Sequence, residues 1–434
     1  LRQKTSFTVP DIRVFKEKLQ DWAQQFNEVV WLDGNGTAES HSSFDCILAV
    51  DALTVLVTDT SNAFEDLTIY RSSTKDWIFG YLSYDLKNDI EALHSRNFDG
   101  LDFSDLYFFQ PKKIICINNN VVEFIYLNMV DDEMDGDFAD ISSYERNGTV
   151  YVEPSDIRIK MRIFKDEYFK QVERLLQHIH RGDVYEANFC QEFYAEDTVI
   201  DPIAVYKKLN HISKAPFACF LKTGEKYLLS ASPERYLKRE GDTVISQPIK
   251  GTAKRSGNIQ KDEALKTALS QDPKERAENT MIVDLVRNDL SKKALKGSVE
   301  VTEFCKVYSF PQVHQMISTI KAQFPKDIDP VEIIKDSFPM GSMTGAPKIS
   351  AMKIIEELEA TKRGLYSGAV GYFSPEGDFD FNVVIRSILY NANKKYVSFS
   401  VGSAITSLAL PHKEYEECLL KARAMREVLE NKQP

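Results

Sequence analysis

Lys250 stands just after a short apolar run and just before Gly251-Thr252, where the backbone can turn sharply. A lysine in such a turn is ordinarily a solvated charge. To act as a nucleophile it must shed its proton near neutrality, a bias of about 3 pK units, or ~4 kcal/mol. Arg386 is a second unusual residue. Residues 379–390 read as a strand, and by alternation Arg386 shares a face with Val384 and Ile388 while Phe379, Phe381, Val383, Ile385 and Leu389 take the other. An arginine in a strand apolar on both sides must find an anion, either a protein carboxylate or an acidic ligand.

Two glutamate pairs repeat one spacing. Glu275 and Glu278 lie near the start of a helix expected from Pro273, with Glu278 on the edge of the stripe carrying Ile282 and Leu285. Glu414 and Glu417 lie i, i+3 in the last helix, beside Tyr415, Leu419 and Ala422. Four such carboxylates could hold magnesium, a hard cation that takes oxygen ligands and leaves room for an anionic ligand. The plainer alternative is a surface pair between Glu417 and Lys421, four residues apart. The segment GSMTGAPK, residues 341–348, enters a helix through glycines, and free N–H groups there suit an anion. It is not a nucleotide phosphate loop, because Lys348 follows a proline and no Ser or Thr follows directly.

These residues need elements to position them. Asp166 is expected to cap a helix with Tyr168, Val172, Leu175, Leu176 and Ile179 on one stripe, ended by Gly182-Asp183. Strands are expected at 184–193, 227–231, 235–239 and 243–249, with Gly241-Asp242 as a hairpin turn. Asp272-Pro273 opens a helix to about residue 290, and Ala346-Pro347 another to about 359. Strands at 366–373 and 379–390 flank a turn at 374–378, and a final helix runs from Pro411 to about 429. Hairpins interspersed with helices indicate an α+β fold.

The 434 residues suffice for two or three cores. A strand-rich N-terminal region, 1–150, with strands at 45–51 and 121–127, is expected to pack on a catalytic part, 151–434. The acidic run 131–140 and the polar stretch to Pro154 read as a linker or long surface loop. Hydrophobic residues at 43% and charged residues at 27% exclude disordered and fibrous classes. A net charge of −11 argues against nucleic acid or an anionic membrane as the main partner. Six cysteines without a CxxC pair give no zinc site and suit a reducing, cytoplasmic compartment. No apolar run reaches the roughly 18 residues of a membrane span, and residues 1–10 carry no signal core. The triplets at Asn35 and Asn147 read as Asn-Gly turns.

Taken in order, SPER (232–235), PIKGT (248–252), ENTMIVDLVRND (278–289), GSMTGAPK (341–348), YSGAVGYF (366–373), VIRS (384–387), Gly402 and ECLLKARA (417–424) resemble the chorismate-utilising enzymes. That family includes the anthranilate, aminodeoxychorismate, isochorismate and salicylate synthases. The resemblance spans about 155–430. It implies antiparallel β-sheets packed as a sandwich with flanking helices. It also implies magnesium on Glu278 and Glu417, with Glu275 and Glu414 as outer partners, holding the ring carboxylate of chorismate. Tyr366, Arg386 and the Gly402 backbone match positions that bind the enolpyruvyl carboxylate. Lys421 and the Gly345–Ala346 backbone would add positive potential. Glu234 matches the general acid at the C4 hydroxyl, a role that needs a raised pKa. Lys250 and its motif partner Thr252 are the remaining catalytic candidates.

Two positions separate the branches. Water-adding members resemble one another in having a lysine base where this chain has Glu186. Anthranilate synthases resemble PIAGT, and aminodeoxychorismate synthases PIKGT. Lys250 therefore implies attack at C2, loss of the C4 hydroxyl, and entry of ammonia at C4. Gln315 occupies a position that is histidine in many relatives, and by alternation His314 faces the other way. No glutaminase signature is visible, so the resemblance implies a separate glutamine amidotransferase subunit in a heterodimer. The alternatives are anthranilate formation, or a catalytically silent chorismate-binding subunit.

Overall fold

The computed structural model describes residues 1–37, 43–145 and 157–430. Its strands form two antiparallel layers that share one long bent strand pair, Cys46–Thr58 with Leu106–Asn118. The first half of Cys46–Thr58 pairs with Glu28–Asp33. From there one layer runs through Phe217–Thr223, Lys226–Ser232, Ser387–Asn391, Tyr396–Ile405 and Glu186–Ala195. The second layer leaves Leu106–Asn118 through Ile78–Leu82, Ala369–Phe373, Phe379–Val383, Arg235–Glu240, Thr243–Gln247 and Val313–Gln323. The pair bends where Asp51 takes a φ of 60° and the register shifts between Ala52 and Thr54.

Alternation decides which core each side chain joins. In Glu28–Asp33, Val29 and Trp31 face a core closed by the helices Ile12–Trp22, Lys165–Arg181, Pro202–Ser213 and Pro411–Glu430. Val30 points the other way, into the core between the layers with Phe79, Phe373, Phe381 and Leu228. The α+β sandwich with flanking helices expected from the sequence is the observed architecture. The division expected near residue 150 lies among residues outside the description, and strands from its two sides pair directly: Glu28–Asp33 with Phe217–Thr223, and Ile78–Leu82 with Ala369–Phe373.

Several local expectations need correction. Residues 131–140 are not a loop. Asp131–Glu133 is a 3₁₀ turn leading into a helix, Met134–Ser143, whose Met134 and Ile141 are buried and whose Phe138 stacks on Phe7 at 4.0 Å. Acidic residues fill its solvent side, which masked the sparse apolar positions. Asp166 lies in the first turn of Lys165–Arg181, and Phe164 takes the cap position. Gly182 ends that helix at φ 90° as expected. Asn35-Gly36 is a turn with both φ values positive, while Asn147 lies outside the described residues. All six cysteines are buried free thiols, and no helix among the described residues is long and apolar enough to cross a membrane.

Candidate active site

Residues 379–390 are two strands, Phe379–Val383 and Ser387–Asn391, and Arg386 stands in the break between them. The chain leaves the ladder as Ile385 N–H turns back to the Val383 carbonyl at 3.0 Å, and Arg386 adopts φ 52°. A left-handed non-glycine residue costs about 1–2 kcal/mol. Here that conformation takes the guanidinium off the alternation of the sheet and into a cleft. Tyr366 sits likewise in a turn just ahead of its strand, Ala369–Phe373.

Two helices supply the opposite wall. Asp272 caps Pro273–Ser291 by accepting from the N–H groups of Lys274 and Glu275. That helix buries Ile282, Val283 and Leu290 and leaves Glu275 and Glu278 on the cleft. Pro411–Glu430 buries Cys418, Ala422 and Met425 and presents Glu414, Glu417 and Lys421. The cleft between these walls measures about 500 Å³. Every residue expected at the site lines it except Gly345 and Ala346: Glu234, Lys250, Thr252, Glu275, Glu278, Tyr366, Arg386, Gly402, Glu414, Glu417 and Lys421.

Gly345–Ala346 instead pairs behind the cleft with Ala187 and Glu186, and Ser342 and Met343 of the same motif take the lining position. A Cβ on Gly345 would come within 2.1 Å of the Glu186 carbonyl, so that glycine serves close strand packing. Lys348 is also structural: its ammonium binds Asp289 at 2.6 Å and the Ser337 carbonyl at 2.9 Å.

The charges are distributed unevenly. Arg386 makes no ion pair or hydrogen bond through its guanidinium among the described residues, and burial holds its pKa below the usual arginine value. The protein-carboxylate alternative for Arg386 therefore does not hold. Among the described residues the Tyr366 hydroxyl meets only the Cys190 thiol, at 3.6 Å, and burial raises its pKa. Lys250 donates to Glu186 Oε1 at 2.9 Å. Burial pulls its pKa down, but Glu186, Glu278 and Glu234 outweigh burial, and the net shift is upward. Glu234 is pushed up to about 7 by burial, although Ser342 Oγ donates to it at 2.7 Å and Lys250 lies nearby. That carboxyl can carry a proton at neutral pH.

Lys421 bridges Glu417 Oε1 at 2.6 Å and the Gly402 carbonyl at 2.9 Å, so the expected i, i+4 pair exists, but inside the cleft. Gly402 admits no side chain: a Cβ would lie 2.4 Å from Cys190 Sγ. Gln315 lines the cleft while His314 turns away to Asp262 and Ser309, as alternation requires. Arg363 braces the floor, holding Glu359 and the carbonyls of Met343 and Asn188 while Glu359 accepts from Cys190 N–H.

The four glutamates fit a hard divalent cation by donor type. Burial raises Glu278 to about 7, and its Oε1 has no hydrogen-bond partner among the described residues. Lys274 reaches between the two helices, 3.8 Å from Glu278 and 3.9 Å from Glu414. Among the described residues, no three acidic, histidine or cysteine side chains already converge as a metal cluster. Lys274, Ser342 and Asn188 were missed from sequence. Lys274 had a signal, its i, i+4 spacing to Glu278, and Ser342 lay inside a motif already singled out.

The sequence profile described as chorismate binding enzyme matches residues 24–427. The chain belongs to the chorismate-binding enzyme family. It is 31% identical to aminodeoxychorismate synthase component 1 of Bacillus subtilis, over 93% of this chain and 84% of the relative. It is 43% identical to aminodeoxychorismate synthase of Streptomyces griseus, over 64% of this chain and 38% of that protein. The chain thus spans less than half of the S. griseus relative and most of the B. subtilis one. Its fold matches the crystal structure of anthranilate synthase component I from Streptococcus pneumoniae, with TM-score 0.78, 24% identity, and coverage of 87% of this chain and 91% of that one.

Proposed function

We propose that this protein aminates chorismate at C4, giving 4-amino-4-deoxychorismate, as the component that works beside a glutamine amidotransferase supplying ammonia. The observation that carries the reading is the placement of Lys250 in the same cleft as Glu234 and Arg386, whose guanidinium has no ion pair among the described residues. Chorismate is a dianion. Arg386 and Tyr366 supply one carboxylate site, and the glutamate wall, with magnesium held by Glu278 and Glu417 and supported by Glu275 and Glu414, supplies the other. The metal's contribution is charge: it offsets the repulsion between the ring carboxylate and that wall.

Lys250 then faces ring carbon C2, and Glu234 faces the C4 hydroxyl. The nitrogen lone pair forms a bond to C2, the two ring double bonds each shift one place, and the C4–O bond breaks with its electrons. The departing oxygen takes the Glu234 proton and leaves as water. Ammonia bonds to C4, the double bonds return, and Lys250 leaves C2 as the amine. The new C4 ammonium returns a proton to Glu234. Thr252, beside Lys250 on the same strand, helps set the backbone from which the lysine projects. The names of the B. subtilis and S. griseus relatives support this reading.

The test is mass spectrometry of the product after incubation with chorismate, magnesium and ammonium. A product carrying the C4 amino group and retaining its pyruvyl ether is expected. Anthranilate would transfer the chain to the branch that aminates C2, and no turnover with ammonium would favour a silent binding subunit.

A further inference from the structure

Lys250 cannot attack as an ammonium, yet the cleft holds it as one. The proton must leave before the nitrogen lone pair is free, and the Lys250 side chain, 10% exposed, keeps that proton on a bond to a carboxylate. Among the described residues one carboxylate lies within ion-pairing distance of Lys250, Glu186 Oε1 at 2.9 Å. Glu234 and Glu278 also act on the lysine from other elements, and Glu275 and Glu417 feel its charge from the two helices, but no ion pair joins any of them to it. Glu234 is already committed as the acid, held by Ser342.

Glu186 is placed differently. It begins the strand Glu186–Ala195, is 1% exposed, and is fixed from behind by the Gly345–Ala346 pairing. Its Oε1 meets Lys250, and its Oε2 is buried with no hydrogen-bond partner among the described residues. A buried carboxylate oxygen without a donor is costly to keep. An oxygen free of other bonds leaves the carboxyl able to take up and return a proton without breaking a second contact.

We infer that Glu186 is the proton acceptor that converts the Lys250 ammonium into the attacking amine, and the donor that restores it after displacement. The inference rests on the covalent reading of Lys250. In the step, one proton passes from Nζ to Oε1, leaving a neutral amine and a neutral carboxyl. The nitrogen lone pair then forms the C2 bond as above. When ammonia displaces the lysine as an amine, the proton returns from Glu186 and the ion pair re-forms. No oxidant, reductant or further reactant is consumed. Two carboxylates thus divide the work, Glu234 delivering a proton to the leaving oxygen and Glu186 removing one from the nucleophile.

The test compares the parent with Glu186→Gln, Glu186→Asp and Lys250→Ala, using chorismate, magnesium and ammonium chloride between about pH 6 and 10. Rates are expressed relative to the parent at each pH, which cancels the rise in free ammonia. Glu186→Gln is expected to lose at least about 100-fold in kcat near neutrality, with KM for chorismate little changed. Its relative kcat should then climb by up to about tenfold per pH unit, because the lysine now loses its proton to solvent. Glu186→Asp, with its carboxylate withdrawn, should fall between the two and retain the parent's profile. A Glu186→Gln enzyme that equals or exceeds the parent throughout would overturn the inference, showing that the carboxylate merely restrains Lys250. A loss by one constant factor at every pH would also overturn it, leaving a structural ion pair. Lys250→Ala separates the two levels: full turnover by that variant defeats the covalent reading itself, whereas an inactive Lys250→Ala beside a parent-like Glu186→Gln defeats only the role of Glu186.

Discussion

Ser342 Oγ donates to Glu234 Oε1 at 2.7 Å, joining the glycine-rich helix entry to the start of a strand 108 residues earlier. This bond favours the carboxylate, while burial favours the protonated acid and prevails, leaving the pKa at about 7. If the acid form drives departure of the C4 oxygen, kcat at a fixed free-ammonia concentration falls as pH rises through about 7. Ser342→Ala removes the opposing bond and moves that limb upward by roughly one pH unit. A kcat–pH profile on both enzymes checks the direction. The raised pKa has a thermodynamic counterpart. Its stabilising contribution is complete below the unfolded-state pKa near 4.5 and is lost as pH rises through the folded value near 7. Glu234→Gln should therefore flatten part of the decline in melting temperature over that window.

Lys250→Ala is expected to lower kcat by about 10³-fold or more while KM for chorismate changes little, because a nucleophile is used only in the reaction step. Arginine cannot replace it, since a guanidinium stays protonated. Steady-state kinetics of both variants would show the split.

Arg386 is a partly buried cation with no ion pair among the described residues, which separates its contribution to binding from its contribution to stability. Arg386→Met is expected to weaken chorismate binding by about 100-fold, the scale for truncating one partner of a buried charge pair. The substrate-free variant should melt at the same temperature as the parent or above it, because removing a partly desolvated charge that has no ion pair removes a desolvation cost. Calorimetric titration and thermal melting together test both halves.

Magnesium binding should respond in opposite senses to neighbouring changes. Glu278→Gln and Glu417→Gln each remove a hard oxygen donor and are expected to weaken magnesium binding at least about tenfold. Lys274→Met removes an ammonium lying 3.8 Å from Glu278 and 3.9 Å from Glu414, and is expected to tighten it. Isothermal titration with magnesium in the presence of chorismate reads both without relying on turnover.

Gly402→Ala would place a methyl 2.4 Å from Cys190 Sγ and 2.5 Å from Asn188 Oδ1. The strand must shift there, and the Gly402 carbonyl that holds Lys421 shifts with it. A rise in KM with a small loss of thermal stability is the expected outcome, measured by kinetics and melting.

The sequence by itself determined the elements that carry their own signals. Asp272-Pro273 declared a helix start because an aspartate cap and a proline at the first turn act within a few residues. The same local logic gave Gly182 as a helix end and set Gln315 and His314 on opposite faces. The i, i+3 spacing already placed each glutamate pair on one helix face. What the tertiary structure decided were matters of distance across the chain. Glu186 and Lys250 are 64 residues apart, and no local pattern reports that their side chains meet. Alternation made Arg386 part of an unbroken strand, because a positive φ leaves no mark on the pattern of apolar residues. Only the assembled cleft shows that Arg386 has no ion pair among the described residues and that Lys250 has one. Burial and charge pairing arise from groups distant in sequence, and those two terms decide which side chain holds a proton and which awaits a ligand.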